Sequence, residues 1–122
     1  MKILIVDDDA RELRFSFTDL KAEMFYATGE QEASAILAKQ PIDLDIILMD
    51  GNFLNMDEPV YGPDIVKRFR AAGITTKIIM FSSDDGMIEK GMRAGANGAW
   101  SKKELRNQGW EEKFLALCDS LL

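Results

Sequence analysis

Apolar and polar positions along this chain switch repeatedly between two periods. Residues 2–6 (KILIV) are a nearly unbroken apolar run, the pattern of a parallel strand buried on both faces, and Leu13, Phe17, Leu20 and Met24 then recur at helical spacing. A short strand is predicted at 24–28, punctuated by Gly29. The next helix, over 30–39, presents Ala33, Ile36 and Leu37 before Pro41 stops it. A strand at 45–49 leads into Asp50. Residues 51–62 read as an irregular loop because Gly51, Asn52, Asn55, Pro59 and Gly62 cluster there, and Pro63 suits the first turn of a helix carrying Ile65, Val66 and Phe69 up to Gly73. A strand at 77–81, a helix with Met87, Ile88 and Met92 ending at Gly95, a short strand at 97–100 and a last helix with Trp110, Phe114, Leu117 and Leu121 complete the pattern. Regular strand–helix alternation of this kind predicts an α/β fold with a parallel sheet and helices on both of its faces.

Four of the apolar runs end in residues suited to phosphate chemistry. KILIV runs into Asp7, Asp8 and Asp9, DIILM into Asp50, KIIMF into Ser82 and Ser83, and GAW into Ser101 and Lys102. In an open parallel sheet the carboxyl ends of the strands share one rim, and ligands bind in the crevice outside it where the strand order reverses. Acids, a hydroxyl and an amine far apart in sequence are thereby brought to one candidate pocket.

Composition narrows the chemistry. At 122 residues with 47% hydrophobic content, one domain spanning 1–122 is expected. No run approaches the length of a membrane helix and Met1 leads straight into a strand, so the chain reads as cytoplasmic, with no membrane partner. One cysteine, Cys118, allows no internal disulfide, and the lack of histidine removes the usual zinc ligands, so a bound metal would need oxygen donors. A net charge of -6 argues against phosphate-backbone binding, and no nucleic-acid partner is expected.

Taken in order, these strand ends resemble the receiver domain of response regulators over essentially the whole chain. VDDD matches the family's acidic pair at Asp7 and Asp8, LMDGN its phosphoacceptor at Asp50, Ser82 its hydroxyl residue after the fourth strand, and Lys102, reached through AGANGAWSK, its lysine after the fifth. The resemblance implies a doubly wound, five-stranded parallel sheet in the flavodoxin-like order 2-1-3-4-5. It also implies a phosphoryl group taken from phosphohistidine onto Asp50 with magnesium, Asp8 and Asp50 as direct ligands, Asp7 acting through water, and the backbone carbonyl of Asn52 contributing. Lys102 and Ser82 would contact the phosphoryl oxygens. A histidine kinase or histidine phosphotransfer protein would be the donor, and an effector protein of unknown identity would read the signal by contact.

The chemistry fits those residue types. Phosphoryl transfer gathers negative charge around phosphorus, so catalysis is mainly positioning and charge stabilisation, and magnesium takes carboxylate, phosphate and water oxygens. Singly, each residue has a plainer role: Asp7 and Asp8 as helix caps, Asp50 as a loop residue, Ser82 as a cap, Lys102 as a solvated surface cation. Three adjacent carboxylates repel one another, however, which favours a cation nearby. Asp84 and Asp85 read as helix-start residues, the Met and Phe positions as core, and Cys118 as a structural thiol.

Departures from the family pattern bear on output. The aromatic switch position is Ala99, and neighbouring Trp100 points to the opposite face of its strand, where core packing is its expected role. Lys103 replaces the proline that normally follows the lysine; a cis bond there without proline costs about 2.5–4 kcal/mol, so a trans or strained loop is expected. The stretch from Phe53 to Tyr61 is longer than usual and suits a lid, a partner contact or a plain surface loop. A stand-alone receiver, without an attached output domain, is the expectation. Two alternatives stay open: a pseudo-receiver that only binds partners, and a phosphatase of the haloacid-dehalogenase type using Asp7 and Asp9.

Overall fold

A computed structural model of the chain describes residues 1–39, 43–54 and 57–122. Strand β1 (Lys2–Val6) is followed by α1 (Ala10–Ser16), β2 (Glu23–Ala27), α2 (Glu30–Ala38) and β3 (Ile46–Asp50). Two short strands, β4 (Asn52–Phe53) and β5 (Val60–Tyr61), precede α3 (Gly62–Ala71), β6 (Lys77–Phe81), α4 (Asp85–Ala94) and β7 (Gly98–Trp100). A 3-10 turn (Lys102–Arg106) then leads into α5 (Trp110–Leu121). The main sheet is five-stranded and parallel in the order β2-β1-β3-β6-β7, which is the expected 2-1-3-4-5 once the two short strands are set aside. Strand order reverses between β1 and β3, so the ends of those two strands flank the crevice.

Each central strand buries both faces, which is why its sequence is a continuous apolar run. Leu4, Val6, Ile47, Met49, Ile78 and Met80 face one layer, where Ala33 of α2 and Ile65, Val66 and Phe69 of α3 are buried with them and Ile88 of α4 packs alongside. The alternate residues Ile3, Ile5, Ile46, Leu48, Ile79 and Phe81 face Phe17, Leu20 and, on α5, Trp110, Phe114 and Cys118. Phe17 is the hub of that second layer, meeting Phe81, Trp110 and Phe114 edge-on at 5.1–6.1 Å between centroids. Close approach of α4 depends on Gly91, where a Cβ would lie 2.3 Å from the Met80 sulfur.

Several expectations need correction. The stretch 51–62 is not wholly irregular: Asn52 pairs with Tyr61 and Phe53 with Val60 in an antiparallel hairpin. Its strands are too short to leave a periodic signal, and Asn55 lies outside the described residues, as does Pro41, the expected stop of α2. Helix α1 is also shorter than its apolar stripe. It ends at Ser16, Phe17 caps it, Leu20 folds back from a turn, and Met24 belongs to β2. The turn is forced by β2, which must start with the Glu23 N–H bonded to the Met1 carbonyl. Not every Met and Phe is core, since Phe15 is 71% exposed beneath the Arg14 guanidinium and Met92 is exposed on α4. Asp50 is the last residue of β3 rather than the first beyond it, paired in register with Phe81. Asp84 and Asp85 do begin α4, the Asp84 carboxylate accepting the N–H groups of Gly86 and Met87.

Candidate functional site

The site is built from strand ends. Asp7 and Asp8 follow β1, Asp50 ends β3, Ser82 follows β6 and Lys102 opens the 3-10 turn after β7. Asp8, Asp9, Asp50, Asn52, Leu54, Ser82, Ser83 and Lys102 line one cleft of about 270 Å³. Asp7 lies fully buried beside the cleft, with carboxylate oxygens of Asp7, Asp8 and Asp50 all within 4.8 Å of one another. Every site residue expected from the sequence is therefore drawn into this region: Asp7, Asp8, Asp50, Asn52, Ser82 and Lys102.

The plain capping role for the first acids does not describe this geometry. Asp9 is the N-cap of α1 but makes no side-chain cap bond, while Asp7 Oδ1 accepts the Asp9 N–H at 2.8 Å in a local turn. Asp8 Oδ2 instead accepts the Leu54 N–H at 3.0 Å, across 46 positions of sequence. Ser82 is buried, and its hydroxyl oxygen accepts the Asp84 N–H at 3.0 Å, linking the cleft to the cap of α4.

Lys102 is no solvated surface cation. Its ammonium lies 2.7 Å from Asp7 Oδ2 and 3.0 Å from Asp50 Oδ1, and 5.3 Å above the Phe81 ring. One ammonium thus serves two buried carboxylates, with a third close by. Burial raises the pKa of Asp50, the Asp7 charge raises it further, and Lys102 and the Asn52 N–H pull the other way, leaving it at about 7. Asp7 is also held above the ordinary carboxylate range, chiefly by burial and against the pull of Lys102. Burial disfavours the Lys102 ammonium, but the hydrogen bond and charge of Asp7, then of Asp50, outweigh it and keep its pKa above the ordinary lysine value.

Two glycines shape the walls. A Cβ on Gly62 would sit 1.8 Å from the Asp50 carbonyl oxygen, so α3 can begin against the end of β3 only with glycine there. A Cβ on Gly51 would lie 2.8 Å from both Ser82 Oγ and Met87 Cβ. Leu54, Gly62 and Phe81 are not singled out by sequence as neighbours of the site; Gly62 is the one with a signal, and it reads there only as part of the 51–62 loop.

The family's switch region is altered here. Ala99 is half-buried and brings no ring, while Trp100 packs edge-on against Phe114 at 5.5 Å as part of the core beside α5. Lys103 spends its N–H on Ser101 Oγ at 3.2 Å, a bond that proline could not make. The turn shows no backbone strain in φ, since every described residue with positive φ is a glycine: Gly73, Gly95 and Gly109.

Compared with known proteins, residues 3–111 match the model of the response regulator receiver domain. The chain belongs to the response-regulator receiver domain family. Among solved structures, this receiver is similar to the chemotaxis protein CheY4 of Vibrio cholerae, at 25% identity and a TM-score of 0.73, over 99% of this chain and 98% of that one. It is similar in fold to the receiver domain of NtrX from Brucella abortus, at 15% identity and a TM-score of 0.77, over 98% and 97%. The CheY-like receiver of Methanospirillum hungatei matches at 22% identity and a TM-score of 0.73, over 98% and 94%. No curated protein matches significantly in sequence. Receiver domains are signalling modules of two-component systems, and that class is assigned to this chain. No helix among the described residues is long and apolar enough to cross a membrane.

Proposed function

We propose that this receiver takes a phosphoryl group from a phosphohistidine onto the Asp50 carboxylate. The observation that carries the reading is the convergence of Asp7, Asp8, Asp50 and Lys102, three carboxylates within 4.8 Å and one ammonium within 3.0 Å of two of them. In this reaction an Asp50 oxygen attacks phosphorus, the phosphorus–nitrogen bond to imidazole breaks, and the histidine leaves neutral on keeping or gaining its proton. Lys102, already 3.0 Å from Asp50, offsets charge on one phosphoryl oxygen, and the Ser82 hydroxyl donates to another. A histidine kinase or a histidine phosphotransfer protein supplies the phosphoryl group, a partner effector reads the result by contact, and the cytoplasm is where such an exchange takes place.

The donors suit magnesium. All are hard oxygen atoms, and a cluster of three carboxylates with one ammonium is short of positive charge. Asp8 and Asp50 would hold the ion directly, Asp7 through water and Asn52 through its carbonyl. When bound, magnesium supplies Lewis-acid charge neutralisation at the phosphoryl oxygens.

The test is incubation with acetyl phosphate and magnesium followed by intact-mass measurement. Wild type should gain one phosphoryl group and Asp50→Asn none; no gain in wild type would reduce the protein to a pseudo-receiver, the reading that Ala99 and Lys103 favour. A haloacid-dehalogenase mechanism is disfavoured because its nucleophile would be Asp7, which is fully buried, whereas Asp50 lines the cleft.

A further inference from the structure

The hairpin between β3 and α3 is fixed at both ends, while Leu54 and residues 57–59 between its strands are exposed. Phe53 is fully buried in the layer with α2 and α3, and Val60 packs on the same layer. Gly62 donates its N–H to the Gly51 carbonyl at 2.9 Å, closing the base of the hairpin beside Asp50. Leu54, the residue after Phe53, is by contrast 63% exposed, so burial of its side chain does not explain its position. What it does contribute is a backbone N–H, 3.0 Å from Asp8 Oδ2.

We infer that the β4–β5 hairpin is a positioning arm for Asp8, holding that carboxylate for a divalent cation through the Leu54 N–H, so that cation binding and hairpin geometry are linked. The inference rests on the proposed magnesium site. Asp8 stands within 4.8 Å of two other carboxylates, whose repulsion would turn a freely rotating side chain out of the cluster. A charge-assisted bond from an anchored backbone opposes that rotation. It uses one acceptor position of a carboxylate that has about four, so this bond does not itself exclude a cation on the same group. Linkage is reciprocal: whatever the hairpin adds to cation affinity, the cation returns as hairpin order.

Amide chemical shifts and magnesium titration of the full chain test this. Replacing Asp8 by Asn without metal should move the Leu54 amide proton upfield, since the acceptor loses its charge, and magnesium should shift the same amide in wild type. Leu54→Pro, which deletes the donor, should weaken magnesium binding about fivefold; Leu54→Ala, which retains it, should recover most of that loss. A Leu54 amide indifferent to both Asp8→Asn and magnesium overturns the inference, even should the proline variant lose affinity through misfolding. Magnesium binding and Asp50 phosphorylation with a silent Leu54 amide would sink this inference alone, whereas a wild type that neither binds magnesium nor accepts phosphate would remove the proposed function with it.

Discussion

Asp50→Asn should make the protein more stable above neutral pH, and Lys102→Ala should make it less so. Asp50 has an ordinary carboxyl pKa of 3.8 and a folded value of about 7, raised first by burial and then by Asp7. A carboxyl whose pKa is higher in the folded state binds its proton more tightly there, so its favourable contribution is complete below about pH 4 and is lost as pH rises through about 7. Above that, the native state carries a poorly solvated anion. Roughly three units at about 1.4 kcal/mol each set a ceiling of about 4 kcal/mol. Asparagine keeps the shape and an amide oxygen that can accept from Lys102, but gives up the charge pairing at 3.0 Å, while the ammonium retains Asp7 at 2.7 Å. A gain of about 1–3 kcal/mol at alkaline pH is the expected remainder.

Lys102→Ala has the opposite sign because it strands two buried carboxylates rather than removing one. A loss of about 3–5 kcal/mol above neutral pH follows, shrinking as acid protonates Asp7 and Asp50. A solvated surface cation could be removed with little harm to the fold, but Lys102 stands between two buried acids. Urea denaturation in the presence of a chelator, run from about pH 4 to about pH 8, separates the effects. An Asp50→Asn variant no more stable than wild type at the alkaline end, or a Lys102→Ala variant as stable as wild type there, would refute the account of the site as short of positive charge.

Gly62→Ala should destabilise the chain by more than about 3 kcal/mol in the same assay, because a Cβ would overlap the Asp50 carbonyl and either β3 or α3 must move. Cys118, fully buried with its thiol pKa pushed up to about 12 by burial and then by Asp119, should resist iodoacetamide in the native state and react readily once unfolded. Beryllofluoride, standing in for the phosphoryl group, should shift amides mainly in the β4–β5 hairpin and after Ser82; changes concentrated at Ala99, Trp100 and α5 with a silent hairpin would return the response to the family's usual face.

The layered sheet was readable because strands buried on both faces carry continuous apolar runs, and the site because Asp7, Asp50, Ser82 and Lys102 each stand at the end of such a run. What sequence could not convey falls into three kinds. A two-residue strand such as β4 has no periodicity, and the glycine, asparagine and proline around it read as loop. The apolar spacing through Phe17, Leu20 and Met24 fits a helix by coincidence, and only the pairing of β2 along β1 breaks it. Finally, a backbone donor leaves no mark: nothing about a leucine at position 54 announces that its N–H reaches Asp8. The protonation tendencies of Asp7 and Asp50 were equally hidden, since they depend on burial that neighbours in space impose.

Charge arithmetic ties the site to an order of events. Asp7, Asp8 and Asp50 bring three negative charges and Lys102 one positive, leaving a formal -2 in a cleft where two of the acids are almost wholly buried. Moving a phosphoryl group onto Asp50 exchanges one carboxylate charge for about -1.5 to -2. On the proposed reading, a cluster in which Asp7 and Asp50 are already held above the ordinary carboxylate range would take on that charge more easily with a cation in place before transfer. The same imbalance explains the arrangement of hydrogen bonds. Lys102 is committed to the two buried acids, and Asp8, the more accessible one, is steadied by the hairpin N–H. On the proposed reading, Asp8 is the least buried of the three acids, so a cation entering the cleft would meet both it and the hairpin N–H that it accepts.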